Sequence, residues 1–173
     1  MNKLIFILGA SGSGKTTNVK NIETKYPDKY HFAYFDQPKV PTVEEVQEKY
    51  GGWENWGIQR TNEWIKKIKE DCIENRITIF DVHTKPENFE NACRDFGITN
   101  YVVILLDCSD DERKKRLTER GQPHLINDSL LEWAQFLRNE AINKNYVIIN
   151  NTELTIEEGL KKVEEKVEEL SKN

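Results

Sequence analysis

Apolar residues along the chain fall into five short runs, at residues 4–8, 31–35, 77–81, 101–107 and 146–150. Each run is near-continuous rather than alternating, the mark of strands buried on both faces of a parallel sheet. Between the runs, apolar residues return at three- and four-residue spacing, the period of helices with one buried side. Helices are expected at 14–25, 42–50, 53–75, 86–96, 109–120 and 128–144, and through the stretch carrying Ile156, Leu160, Val163, Val167 and Leu170. The last of these has heptad-like spacing over only about two heptads, which suits a helix covering the sheet better than a coiled coil. In the third helix, Thr61, Trp64, Ile65, Ile68 and Cys72 form the predicted buried stripe; Leu130, Ala134, Leu137 and Ala141 do so in the sixth.

Local signals set the boundaries. Tyr26-Pro27-Asp28 stops the first helix, and Gly51-Gly52 the second. Thr42 with Glu45, and Ser109 with Glu112, have the spacing of capping boxes, and Gly121-Gln122-Pro123 ends the helix that Ser109 opens. Five strands alternating with helices predict an α/β fold with a parallel sheet, organised as one domain over residues 1–173.

Composition narrows the setting. Charged residues make up 32% of the 173 and hydrophobic ones 37%, as expected of a core wrapped in charged helix faces. The net charge of −5 offers no general attraction to nucleic acid or to an anionic membrane. Cys72, Cys93 and Cys108 show no metal-ligand spacing and are expected as buried reduced thiols, which points to a cytoplasmic location. No apolar run approaches the ~18 residues of a membrane span. The N-terminal run resembles a short signal peptide, but cleavage beside Ala10 would destroy the motif that follows it.

That motif is Gly9-Ala10-Ser11-Gly12-Ser13-Gly14-Lys15-Thr16-Thr17, which fits G-x-x-x-x-G-K-[ST] at every fixed position and lies between a predicted strand and a predicted helix. Glycines let successive N–H groups curl around a phosphate, and the helix adds the positive end of its dipole. Lys15 reaches the outer phosphates, and the Thr16 hydroxyl is a ligand for Mg²⁺. Gly9, Ser11, Gly12, Ser13, Gly14, Lys15, Thr16 and Thr17 are therefore the expected binding loop for a nucleoside triphosphate.

Ligands of an open parallel sheet bind beyond the carboxyl ends of its strands, so polar residues there are candidates. Asp36 is the candidate general base, or the group that orients an acceptor hydroxyl. Asp81 either holds Mg²⁺ in the manner of a Walker B acid or shapes the acceptor pocket. His83 and Lys85 follow it and are placed to grip an acceptor. Asp107 ends a strand as structural support. Arg113, Arg116 and Arg120 fall within an arc of roughly 60° on one helix face, as a cluster stabilising a transferred phosphoryl group would. Arg138 is a candidate for reaching the same phosphates from the next helix. Trp53 and Trp56, beside Gly51-Gly52, are expected to pack the start of their helix, with stacking on a planar substrate as the alternative.

These residues resemble those of the small P-loop kinases of the nucleoside monophosphate kinase group, which includes shikimate-, gluconate- and chloramphenicol-phosphorylating enzymes. The likeness is carried by residues 9–17, Asp36 and Arg116-Leu117-Thr118-Glu119-Arg120, which is similar to the R-x-x-x-R of their lid. It implies a three-layer P-loop NTPase fold with a short helical lid at about 113–127. It also implies Arg116 stacked on adenine, Arg120 on the phosphates, and Asn151 in a loop contacting the base. The stretches 35–41, 120–123 and 133–138 look like those of bacterial AAA-type ATP-binding proteins regarded as kinases. The chain departs from the group in having no second acid beside Asp36 and no G-[FY]-P-R; Asp81-Val82-His83-Thr84-Lys85-Pro86 stands in that place.

The expected activity is transfer of the γ-phosphate of ATP·Mg²⁺ to a nucleoside, nucleotide or hydroxylated metabolite by a monomer or homodimer, with Lys15, Asp36, Arg116 and Arg120 as the catalytic set. The alternatives are a nucleotide-binding regulatory ATPase and a nucleic-acid-end kinase. A GTPase switch is disfavoured, because neither N-K-x-D after an apolar strand nor D-x-x-G is present.

Overall fold

A computed structural model of the chain describes residues 3–71 and 76–172. The strands are β1 (Leu4–Leu8), β2 (Tyr30–Tyr34), β3 (Ile77–Asp81), β4 (Tyr101–Asp107) and β5 (Val147–Asn150). The helices among the described residues are α1 (Lys15–Lys25), α2 (Val43–Tyr50), α3 (Trp53–Glu70), α4 (Pro86–Asp95), α5 (Asp110–Glu119), α6 (Asp128–Asn143) and α7 (Ile156–Lys172). A 3-10 turn, Pro123–Leu125, lies between α5 and α6. All strand pairs are parallel, in the order β2-β3-β1-β4-β5. From β1 the chain passes to the edge strand β2, returns to β3 and then crosses β1 to β4 and β5, so the C-terminal end of β1 is the switch point where such sheets bind ligands.

Every residue of β1 is buried because the sheet is covered on both sides. Leu4, Phe6 and Leu8 pack with Val46 of α2, Ile65 of α3, Phe89 of α4 and Leu137 of α6. Ile5 and Ile7 face the other way, against Val19 and Ile22 of α1 and Val163 and Val167 of α7. Side chains alternate across the sheet, so a two-sided core demands an unbroken apolar run. The Phe6 and Phe89 rings stack at 4.4 Å between centroids and fasten α4 to the centre of the sheet.

Several boundaries shift. β2 stops at Tyr34, so Asp36 lies beyond the strand in a turn closed by Gln37 N–H donating to the Tyr34 carbonyl (3.1 Å). Thr42 and Glu45 form the full capping box, but Ser109 and Glu112 form half of one. The Ser109 N–H donates instead to Thr152 Oγ1 (2.8 Å), because β4 and β5 run side by side and bring Thr152 against it. Glu112 accepts from Arg116 Nε (2.8 Å). A reciprocal box that the sequence reading passed over, Thr155 with Glu158, opens α7. Ile156 is 76% exposed and leaves the expected stripe, where Gly159 is buried instead. Cys93 and Cys108 are buried and free, whereas Cys72 and the expected end of the third helix lie outside the described residues. No helix among the described residues is long and apolar enough to cross a membrane.

Candidate active site

The loop between β1 and α1 is held from below and from both sides. Gly9 sits where a Cβ would come within 2.5 Å of the Leu106 carbonyl oxygen, so strand β4 leaves space for glycine alone. Gly12 has φ +82° and lies against Arg113, and Gly14, at φ 91°, opens α1. The Ser13 N–H donates to the Ala10 carbonyl (3.1 Å), closing the turn. Ser13 Oγ is buried with no hydrogen-bond partner.

Lys15 is 9% exposed at the first turn of α1. Burial pulls its pKa below the ordinary lysine value, while the Asp81 and Asp36 carboxylates oppose that shift and Arg113 and Arg120 add to it. Thr16 Oγ1 donates to Asp81 Oδ2 at 2.6 Å, joining loop to β3. Burial raises the Asp81 carboxyl above its usual range, with Lys15 and the Thr16 hydrogen bond acting against it. A hydroxyl and a buried carboxylate oxygen in contact are hard donors of the kind Mg²⁺ accepts. Among the described residues no group of three or more His, Cys, Asp or Glu side chains is placed to hold a metal ion. An ion on Thr16 and Asp81 would complete its shell from phosphate oxygens and water, the usual habit of Mg²⁺ in nucleotide sites.

Asp36 is 57% exposed by its side chain and lies 4.0 Å from His83 Nδ1. The His83 imidazole, with Lys15 and Arg60 further off, holds its carboxyl below the ordinary value against the opposing effect of desolvation. The turn carrying Asp36 is fixed from α3: Arg60 donates to the Phe35 and Gln37 carbonyls, and Trp64 Nε1 to that of Phe35. Asp36 and His83 open into a cleft of about 660 Å³ whose other walls include Trp53, Trp56, Thr84, Lys85 and Trp133. Lys85 is paired with Glu54 at 2.6 Å. Trp53 is thus 46% exposed on the cleft rather than packed away at its helix start.

A second cleft, about 540 Å³, lies on the far side of the loop and is lined by Gly12, Gly14, Thr17, Arg116, Arg120 and Asn151. Arg116 donates to Asn151 Oδ1 (2.9 Å) and to the Asn151 carbonyl (2.8 Å). Asn151 Nδ2 in turn donates to the Ser13 carbonyl (3.0 Å). These bonds tie α5, the end of β5 and the phosphate loop into one wall. The opposite wall, Leu154, Thr155, Ile156, Gly159 and Leu160 at the start of α7, was missed from the sequence. Its only signal was the Thr155–Glu158 capping spacing together with an apolar residue off the helix stripe.

Two arginines are placed differently from expectation. Arg113 is fully buried, with its guanidinium turned into the protein. Its NH1 group donates to the Ser11 carbonyl (2.8 Å), and its NH2 group to Asp107 Oδ1 (3.1 Å) and the Cys108 carbonyl (3.3 Å). Arg113 lies on the predicted helix arc, but the end of β4 lies beneath that part of α5 and takes its guanidinium. Arg138 is occupied by the same carboxylate, Nε to Asp107 Oδ2 at 2.6 Å, with Asp110 and Gln135 beside it. Its guanidinium is taken up by the protein rather than presented to an acceptor. Asp107 carries both arginines, in line with its expected supporting role. Arg120 remains exposed, donating to Gln122 Oε1 (2.9 Å).

The sequence matches the AAA domain family AAA_18 over residues 5–130. No protein of curated function matches it. Among solved structures, an unliganded sugar kinase from Janibacter sp. HTCC2649 superposes with a TM-score of 0.60 at 19% identity, covering 97% of this chain and 95% of that one. A gluconokinase from Sinorhizobium meliloti 1021 gives 0.60 at 18% identity, covering 96% and 95%. A deoxyadenosine kinase from M. mycoides, solved with its products dCMP and a flexible dCDP, gives 0.56 at 16% identity, covering 96% and 99%. At such identities the likeness speaks for the fold. The two-sided parallel sheet, the glycine loop at its switch point and the family match lead to one conclusion: the chain belongs to the AAA domain family and has the fold of the small P-loop kinases of the nucleoside monophosphate kinase-like group.

Proposed function

We propose that the protein is a phosphotransferase that moves the γ-phosphoryl group of ATP, bound with Mg²⁺, to a hydroxyl of a small molecule seated beside Asp36. The observation that carries this reading is the pair of clefts, one lined by Asp36 and the other by Gly12, Gly14 and Thr17 of the phosphate loop, whose Lys15 is buried at the start of α1. A binding module without transfer has no need of the second cleft. The kinase names of the superposable structures support the same reaction class.

In the transfer, the acceptor oxygen attacks the γ-phosphorus, the bond from that phosphorus to the β,γ-bridging oxygen breaks, and ADP leaves. The acceptor proton passes to the Asp36 carboxylate, which its lowered pKa keeps ionised, and then to water. Lys15 and the loop N–H groups hold the phosphates in line, and Arg120, which lines the cleft with Gly12, Gly14 and Thr17, adds positive charge where negative charge spreads over the transferred group. Arg116, locked by Asn151, is a fixed platform for the nucleotide base. Thr16 and Asp81 would hold Mg²⁺, which would supply further charge neutralisation at the phosphates. His83 orients Asp36, and Lys85 stands at the cleft with its charge held by Glu54. The partners on this reading are ATP and a small-molecule acceptor, and the acidic balance of the chain disfavours nucleic acid.

The test is ADP release with and without candidate acceptors, alongside thermal shift with ATP·Mg²⁺. Ligand at a hundred times its Kd stabilises by about 2.7 kcal/mol, a rise of roughly 5–11 °C for a chain of this size. Lys15→Ala should abolish that shift. Asp36→Asn should keep the shift and lower acceptor-dependent kcat by about 10²–10⁴-fold. Equal loss of binding and turnover in Asp36→Asn would move Asp36 out of the catalytic role.

A further inference from the structure

The acceptor cleft has a chemistry of its own. Three of the four tryptophans of the chain, Trp53, Trp56 and Trp133, stand on its walls. Trp53 and Trp56 meet edge to face at 5.4 Å between centroids, which leaves a broad indole surface 46% exposed at Trp53. Trp133, carried by α6, stands near the His83 ring (6.3 Å) and is stacked from behind by Phe136 at 5.4 Å. Trp56 is anchored against Phe35, the residue before Asp36, with ring centroids 5.5 Å apart. The indoles are therefore fixed relative to the carboxylate proposed to receive the proton. Rigid aromatic faces beside a reacting group are suited to stacking a planar ring.

The polar groups of the cleft argue against the other acceptor classes. Among the described residues no arginine lines it. Its carboxylates, Asp36 and Glu54, outnumber its one lysine, and Lys85 is already paired with Glu54. An acceptor bearing a phosphate or carboxylate would meet no free cation there, although bidentate arginine recognition is the usual answer to such groups. Among the neutral polar groups, Asn88 and Thr84 are turned to each other, with Asn88 Nδ2 donating to Thr84 Oγ1 at 2.8 Å. A polyol would bring many hydroxyls to few open partners, and each one buried unpaired costs about 1–3 kcal/mol.

We propose that the acceptor is an uncharged alcohol carrying a planar aromatic ring, stacked between Trp53 and Trp133 with the buried Trp56 backing Trp53, rather than a nucleoside monophosphate, a sugar or a sugar acid. Both nucleosides and non-nucleoside aryl alcohols satisfy this chemistry. The proposal rests on the phosphotransferase reading above. The atoms balance as in that reaction: the ring-bearing alcohol loses its hydroxyl proton to Asp36 and gains the phosphoryl group, and ADP is released.

The experiment measures ADP release from the full chain with ATP·Mg²⁺ against four arms: ribo- and deoxyribonucleosides, aryl alcohols, nucleoside monophosphates, and hexoses with gluconate and shikimate. The inference expects a member of the first or second arm to raise ADP release on the order of tenfold or more over water, with the third and fourth arms at the background rate. Which of the first two arms responds distinguishes a nucleoside from another aryl alcohol. For the accepted compound, Trp53→Leu and Trp133→Leu should each raise KM on the order of tenfold, the value of one lost stacking contact, with kcat within about twofold. The KM–kcat split separates stacking from a folding defect, which would lower the active fraction and kcat together. Preference for a monophosphate, sugar or sugar acid, or an unchanged KM in both tryptophan variants, overturns the inference while leaving the phosphotransferase intact. Failure of all four arms in a protein that ATP·Mg²⁺ stabilises overturns both.

Discussion

Arg113 offers the sharpest test of how the phosphate loop is supported. Its guanidinium is fully buried and donates to the Ser11 carbonyl, Asp107 Oδ1 and the Cys108 carbonyl, bridging the loop to the end of β4. Arg113→Met keeps most of the aliphatic stem but removes the charge and all three hydrogen bonds. Removing one partner of a buried ion pair ordinarily costs about 3–5 kcal/mol, because the other charge is left uncompensated. Here Asp107 retains Arg138 at 2.6 Å, so that part of the penalty is relieved. What remains is the orphaned Ser11 and Cys108 carbonyls and the lost charged hydrogen bonds, about 2–3 kcal/mol in all. Asp107→Asn strips the carboxylate from both arginines at once and should fall in the full 3–5 kcal/mol range. Urea unfolding followed by tryptophan fluorescence should show a lower midpoint at unchanged m-value. The melting temperature should drop by roughly 4–12 °C for Arg113→Met. Arg113→Lys should not restore stability, since a lysine cannot reach three acceptors in a fork. An Arg113→Met protein within about 0.5 kcal/mol of the parent would refute the bridging argument, because such small changes are typical of surface positions.

Three further outcomes are expected. Burial raises Asp81 above the ordinary carboxyl value; a group so raised stabilises the fold below its unfolded pKa and loses that stabilisation as pH rises through the folded one. Ligand-free Asp81→Asn should therefore gain stability on the parent as pH rises above ~4, and the order should reverse with ATP·Mg²⁺; parallel urea midpoints at every pH would count against both the burial and the metal role. Gly12→Ala must take φ +82° with its Cβ 3.1 Å from Arg113 Cγ, at a cost of about 1–2 kcal/mol; an unchanged melting curve would show that the loop has another low-energy path. Asn151→Ala frees both Arg116 and the Ser13 carbonyl and should weaken ATP binding about tenfold, a hydrogen-bond loss near 1.4 kcal/mol; titration calorimetry giving an unaltered Kd would remove Arg116 and Asn151 from the base site.

The residues that could be assigned before any coordinates were those whose role is local. The glycine pattern of 9–17, the Thr42 cap and the unbroken apolar runs of β1 and β4 each state a backbone requirement within a few positions, so period and spacing suffice to read them. Asp36 and Asp81 could be nominated because parallel strands point their C-terminal ends to one edge. Matters that depend on a neighbour from a distant part of the chain were decided by packing. Arg113 and Arg116 share one helix arc, yet β4 beneath Arg113 turns it into a buried strut while Asn151 holds Arg116 at the cleft. Ser109 keeps the Glu112 N–H on its hydroxyl, but its own N–H goes to Thr152, delivered by the segment after β5, instead of to Glu112. Trp53, Trp56 and Trp133, 77 residues apart between the last two, came to line one cleft only through the tertiary fold, which sets the starts of α3 and α6 around the same opening. Local backbone needs are written in adjacent residues, whereas the use of a side chain is settled by whatever the tertiary structure sets against it.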